Sequence, residues 1–146
     1  MKTVNIYTDG ACSKNPGEGG YCAILKYNEF EKVVSGAEKE TTNNRMEIFA
    51  VIKGLEALKE RCNVNVYSDS QYVVDAFNQG WINDWQDNNW RTAGKKEVKN
   101  VDLWQTLLAL CAQHNVKFIK VKGHADNEYN NRCDKIAVGE YKKLQQ

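Results

Sequence analysis

The order in which the apolar residues change their spacing limits the fold of this chain more than any single motif does. Val4, Ile6 and Thr8 alternate with Thr3, Asn5 and Tyr7, so residues 2–9 read as a strand. After the turn-rich A-C-S-K-N-P-G-E-G-G, Y-C-A-I-L-K-Y at 21–27 reads as a second strand and E-K-V-V-S-G at 31–36 as a third. Such short connections favour an antiparallel meander. Then the period changes. Thr41, Thr42, Asn43 and Asn44 offer caps, Glu47 follows Asn44 at capping-box spacing, and Ile48, Val51, Ile52, Leu55, Leu58 and Cys62 predict a helix over about 45–61.

N-V-N-V-Y-S at 63–68 is a fourth strand, and the stretch from Ser70 to Gly80 a short helix. Residues 81–99 read as irregular or short-helical, Val101 to Cys111 as a helix, 116–122 as a fifth strand, and Tyr129 to Leu144 as a closing helix. Helices between strands three, four and five require crossovers, which make parallel neighbours. The expected fold is therefore α/β: a mixed five-stranded sheet, strands 1–3 antiparallel and 4 and 5 parallel to 1, flanked by helices. In such sheets ligands gather beyond the carboxyl ends of the parallel strands, where Asp9 and Asp69 stand.

Composition narrows the class. A chain of 146 residues is expected to form one domain over 1–146, burying roughly two-thirds of its unfolded surface. It has no apolar run long enough for a membrane helix and no signal-peptide pattern at its start. Five scattered cysteines without a C-x-x-C pair argue against a disulfide framework or a zinc site, and predict a cytoplasmic protein. A formal net charge of +1 leaves any nucleic-acid reading to local features. Neither G-x-x-x-x-G-K-[ST] nor G-x-G-x-x-G occurs, so nucleotide-binding folds find no support.

Four acids stand where structure alone does not ask for them. Asp9 and Asp69 end strand-like runs, I-Y-T-D-G and V-Y-S-D-S, although an Asp there commonly caps a turn, and Asp69 or Ser70 could cap the next helix. Glu47 borders the stripe of the first helix that should face the sheet, and Asp134 does the same on the last. Converging on one sheet end, four carboxylates would repel unless cations lay among them. Oxygen ligands suit Mg²⁺ or Mn²⁺, and a carboxylate cluster without thiolates is the usual material of a two-metal phosphodiesterase site.

These residues sit in longer motifs: Y-T-D-G-A-C-S-K-N-P-G at 7–17, T-T-N-N-R-M-E at 41–47, Y-S-D-S-Q-Y-V at 67–73, tryptophans spaced from 81 to 90, V-K-N-V-D-L-W-Q at 98–105, and V-K-G-H-A with N-x-R-C-D at 121–134. In this order and over nearly the whole chain, they resemble the type 1 ribonucleases H, bacterial members above all. The resemblance implies a ribonuclease H-like sheet and a catalytic, metal-binding set of Asp9, Glu47, Asp69 and Asp134, with His124 after Gly123 as a mobile-loop proton carrier. It implies cleavage of the RNA strand of RNA–DNA hybrids with two Mg²⁺ ions, Mn²⁺ being possible, leaving 5′-phosphate and 3′-hydroxyl ends. A monomer without an obligate protein partner or membrane association is the family expectation. His114 lacks such a context and reads as structural.

The resemblance also assigns Cys12, Asn15, Asn43, Asn44 and Gln71 to the minor groove near the cut. Amides suit that task because they both donate and accept toward 2′-hydroxyls and base edges. Gly10, having no Cβ, is expected to let the backbone approach the substrate closely. Thr42 and Asn100 match two members of a pocket for a DNA phosphate, with Glu40 near the place of a basic third member in some relatives. Trp81 matches an aromatic that packs on the DNA strand, whereas Trp85, Trp90 and Trp104 read as a small aromatic core.

One departure carries a prediction. Between Trp85 and Trp90 stands Q-D-N-N, and over 81–104 Arg91, Lys95, Lys96 and Lys99 are balanced by Asp84, Asp87, Glu97 and Asp102. A neutral handle releases few counterions, so a plot of log K for the hybrid against log salt is expected to be shallower than for a relative with a basic handle. An equally steep slope would contradict this. Two other readings stand beside the main one: a silent hybrid-binding module, and a DNA-directed nuclease on the same fold.

Overall fold

A computed structural model describes residues 1–122 and 127–146. Strands β1 (Thr3–Cys12), β2 (Gly17–Tyr27) and β3 (Phe30–Thr41) are followed by helix α1 (Asn43–Glu56) and strand β4 (Asn63–Ser68). Helices α2 (Gln71–Asn78), α3 (Trp81–Asp87) and α4 (Val101–Cys111), strand β5 (Asn115–Lys120) and helix α5 (Glu128–Leu144) complete the order. The sheet runs β3-β2-β1-β4-β5, antiparallel from β1 to β3 and parallel from β1 through β4 to β5. This is the mixed sheet that the order of periods predicts.

The buried faces follow the alternation. Val4 and Ile6 of β1, Val64 and Val66 of β4, and Phe118 of β5 meet Ile48, Val51, Ile52 and Leu55 of α1 and the aromatic base around Trp104. On the other face Cys133 and Ala137 of α5 pack on Cys22 and Ile24 of β2. Trp104 is fully buried, with Tyr72 and Trp85 at ring distances of 5.3 and 5.7 Å, so the tryptophan-rich excursion does close a small aromatic core. Trp81, at the start of α3, is 37% exposed. His114 is structural: buried, its Nδ1 accepts from Cys62 N at 3.1 Å, and burial, then the charge of Arg61, lowers its pKa.

Three expectations need correction. The first helix stops at Glu56 rather than near 61, and Leu58 reaches the core from the turn beyond it. The first three strands run longer than their alternation, because β2 and β3 pair from Gly17↔Thr41 to Tyr27↔Phe30. Asp9 is therefore not the last residue of its strand. What ends beside it is the β1–β4 pairing, whose last pair is Tyr7↔Tyr67, while β1 continues to Cys12 against β2. The strands part there, and the two acids stand in the opening.

Candidate active site

Asp9 and Asp69 come to the same opening because β1 and β4 are in register. Tyr7 and Tyr67 stack at 4.9 Å, and the acid two residues beyond each leaves the pair together with its neighbour. Asp69 is not spent as a cap. Ser70 caps α2 through Val73 N at 3.3 Å, and Ser68 Oγ accepts from Ser70 N at 3.0 Å.

Glu47 is released in the same way, and the capping box expected between Asn44 and Glu47 does not form. Thr42 is the N-cap of α1, its hydroxyl accepting from Arg45 N at 3.2 Å. Glu47 lies one turn deeper and turns inward, where its Oε1 accepts from Gly10 N at 2.8 Å. The same amide donates to Asp9 Oδ1 at 2.9 Å, so one N–H is shared by two carboxylates.

One oxygen from each of Asp9, Glu47 and Asp69 lies within 4.8 Å of the others. Asp134, on α5, lines the same cleft of about 420 Å³ but stands outside that trio. Asp9 and Glu47 are 5% and 7% exposed. Burial first, then the charges of Asp69 and Asp134, raises the Asp9 pKa from 3.8 to about 7, even though Glu47 and the Gly10 amide hydrogen-bond to it. Burial first, and then Asp9, holds Glu47 well above its ordinary value. Glu47 Oε2 is buried with no partner among the described residues. An orphaned carboxylate oxygen in an all-oxygen cluster, two of whose acids resist ionisation, fits a hard divalent cation, which would pair the charges and take up the free oxygen.

The residues assigned to the substrate have mixed settings. Cys12 and Asn43 line the cleft, and Asn15 Oδ1 accepts from Asn43 N at 2.8 Å. Asn44 and Gln71 are exposed in the first turns of α1 and α2. Thr42 and Asn100 are linked through Arg45, whose Nη1 lies 3.2 Å from Asn100 Oδ1 and whose guanidinium pairs with Asp102 at 2.8 Å. The close approach at Gly10 is to the protein's own α1: an added Cβ would lie 2.4 Å from Met46 C and 2.5 Å from Glu47 N. His124 lies outside the described residues.

Val138 and Tyr141 also line the cleft, beside Asp134. Tyr141 is not among the site residues expected from the sequence. Its spacing of four and then three residues from Asp134 through Val138 was the signal that it shares that acid's face.

The profile of the RNase H family matches residues 1–142. The chain belongs to the RNase H family. A ribonuclease H of Caldicellulosiruptor saccharolyticus is 61% identical over 144 residues, 99% of each chain. One of Acetivibrio thermocellus is 60% identical over 143 residues, 98% of this chain and 97% of the relative. Among solved structures, LC9-RNase H1, a type 1 RNase H with the type 2 active-site motif, superposes with a TM-score of 0.86 at 27% identity, covering 98% of this chain and 74% of that one. LC11-RNase H1 in complex with an RNA/DNA hybrid has a TM-score of 0.69 at 20% identity, covering 98% and 99%, and so shares the fold. Membership makes the chain an endonuclease and hydrolase of a metal-dependent family.

The raised carboxyl pKa values predict an unusual pH dependence of the metal-free protein. Between about 4 and 7 the folded state keeps a proton on Asp9 that the unfolded state has released, so stability present at low pH is lost as pH rises through about 7. In EDTA, Tm is expected to fall by several degrees from pH 5.5 to 8, and Mg²⁺ to restore it. A flat profile in EDTA would show that the trio carries no such strain.

Proposed function

We propose that this protein hydrolyses the RNA strand of RNA–DNA hybrids with two divalent cations, leaving 5′-phosphate and 3′-hydroxyl ends. The observation that carries this is the buried trio of Asp9, Glu47 and Asp69 with an unpartnered Glu47 oxygen, in a chain 61% identical to a ribonuclease H. The RNA/DNA hybrid bound by LC11-RNase H1 supports the substrate class.

Asp9, Glu47, Asp69 and Asp134 would hold the ions, Mg²⁺ by preference and Mn²⁺ as a substitute. When bound, such a pair lowers the pKa of an attacking water and offsets charge on the leaving 3′-oxygen. Asp9 sits at the centre of the set, held by the Gly10 amide and acted on by the charges of Asp69 and Asp134. Hydrolysis joins the water oxygen to phosphorus and breaks the P–O3′ bond, so one proton leaves the water and one reaches the 3′-oxygen. A His124 imidazole suits that relay, since imidazole is the side chain whose ordinary pKa lies nearest neutral pH.

Amides at Asn15, Asn43, Asn44 and Gln71, with Gly10 and Cys12, suit the shallow minor groove of a hybrid, where a 2′-hydroxyl distinguishes RNA from DNA. Trp81, exposed at the start of α3, offers a face for a deoxyribose, and Thr42 and Asn100 flank Arg45 in a polar grip for a phosphate. The whole chain would act as one catalytic domain and as a cytoplasmic monomer. No helix among the described residues is long and apolar enough to cross a membrane.

The test is cleavage of labelled hybrid, duplex DNA and duplex RNA across a Mg²⁺ titration. Metal-dependent cutting of the hybrid's RNA strand alone is expected. Hybrid bound but uncut at every Mg²⁺ concentration would favour a silent binding module, and equal cutting of duplex DNA a DNA-directed nuclease.

A further inference from the structure

Two of the trio's acids are delivered by β1 and β4, Glu47 by α1, and the fourth acid by α5. Nothing in the sheet's hydrogen bonding fixes α5 relative to the opening between the strands. A side chain does. Asn130, one helical turn before Asp134 and 4% exposed, spans that opening. Its Nδ2 donates one hydrogen to Thr8 O at 3.2 Å and the other to Tyr67 O at 3.1 Å. Thr8 precedes Asp9 and Tyr67 stands two residues before Asp69, so a single amide ties together all the backbone that carries Asp9, Asp69 and Asp134. The adjoining contacts of α5 run to β1, β2 and β3: Tyr129 stacks on Tyr7 at 4.6 Å, the Cys133 thiol lies 3.1 Å from Tyr7 O and 3.7 Å from Cys22 O, and Arg132 reaches Glu31.

We propose that Asn130 is a positioning residue for the metal site, its amide setting how far Asp134 stands from Asp9 and Asp69. The inference rests on the hydrolase reading above and adds to it a residue outside the set of acids that would hold the ions. Positions i and i+4 lie on one helix face, so the bonds of Asn130 and the direction of Asp134 are fixed by the same turn. Removing the amide leaves two buried carbonyls without that donor and frees the first turns of α5 to drift from the strands. The helix itself stays docked, because Ala137 presses on Gly20 so closely that a Cβ there would meet its carbonyl, and Arg132 pairs with Glu31 at 2.7 Å. Residues that orient metal ligands from outside the coordination shell are worth about 10- to 100-fold in metal affinity or activity.

The test compares Asn130→Ala and the near-isosteric Asn130→Asp, which cannot donate when ionised, with wild type and with Leu107→Ala. Leu107 is fully buried on α4 and does not line the cleft, so its truncation is the control for lost stability alone. Two quantities are read: Mn²⁺ binding to substrate-free protein by electron paramagnetic resonance, and the Mg²⁺ midpoint, kcat and KM for hybrid cleavage. Both Asn130 variants are expected to bind Mn²⁺ about 10-fold more weakly and to need more Mg²⁺. Their kcat should fall with KM for the hybrid unchanged, and Leu107→Ala should keep the wild-type metal dependence. Should Asn130→Ala not fold, Asn130→Ser, which keeps one donor, is read in its place. Wild-type Mn²⁺ affinity in the Asn130 variants, or the same shift in Leu107→Ala, would overturn the proposal. Wild type binding Mn²⁺ without cutting hybrid would instead overturn the functional reading, while the Mn²⁺ comparison would still decide the role of Asn130.

Discussion

Asp9→Asn is expected to lower hybrid cleavage by about 10³-fold or more while making the metal-free protein more stable. The two effects have one cause. Asp9 is 5% exposed beside Glu47 and Asp69, and its carboxyl holds a proton up to about pH 7. Asparagine has nearly the same shape and keeps an oxygen for the Gly10 amide, but it carries no charge to bury or repel. At pH 8 in EDTA the variant should therefore melt several degrees above wild type, since one pKa unit corresponds to about 1.4 kcal/mol. The same substitution removes the carboxylate central to the proposed cation site. Losing several kcal/mol of charge stabilisation in the transition state amounts to about 10³-fold in rate. Hybrid binding should survive, because one negative charge fewer faces the phosphates. Calorimetric melting with and without Mg²⁺, beside a cleavage assay, reads both effects. Wild-type turnover in Asp9→Asn would place the chemistry elsewhere.

Gly10→Ala is the second large effect, and its cause is steric. The added methyl would meet the α1 backbone at 2.4 and 2.5 Å, and backbone cannot rotate aside as a side-chain tip can. Either β1 or the first turns of α1 must move. Overpacking of this kind costs about 1–3 kcal/mol, several degrees of Tm in a chain of this size. The displacement also carries Glu47 away from Asp9, because the Gly10 amide bonds both carboxylates. A misplacement of about 1 Å can cost about 10²-fold, so kcat should fall far more than Tm alone would explain. Full activity with a lowered Tm would show that the ligand spacing tolerates the shift.

Much of this was legible in the sequence because it depends on local periods. The 63–68 alternation and the Val101–Cys111 spacing coincide with β4 and α4, since each pattern buries one face of its element. The change from antiparallel to parallel pairing followed from the helices inserted between strands. The misses share a reason. Strand length depends on a hydrogen-bonding partner, which local sequence does not contain, so glycine-rich Gly17–Gly20 joins β2 and β3 runs on to Thr41. Two residue types compete for each helix cap, Thr with Asn for α1 and Asp with Ser for α2, and only the folded backbone shows that Thr42 and Ser70 win, leaving Glu47 and Asp69 free.

The sequence by itself determined the order of elements, the mixed sheet, the oxygen-only character of the candidate ligands and the kinship with ribonucleases H. Residue type and period carry that information. Tertiary structure alone decided that three acids come within 4.8 Å while Asp134 stands apart, that one amide serves both Asp9 and Glu47, and that Asn130 fastens α5 across the parting strands. These are distances between residues as many as 122 positions apart, and they are set by how helices seat on a twisted sheet.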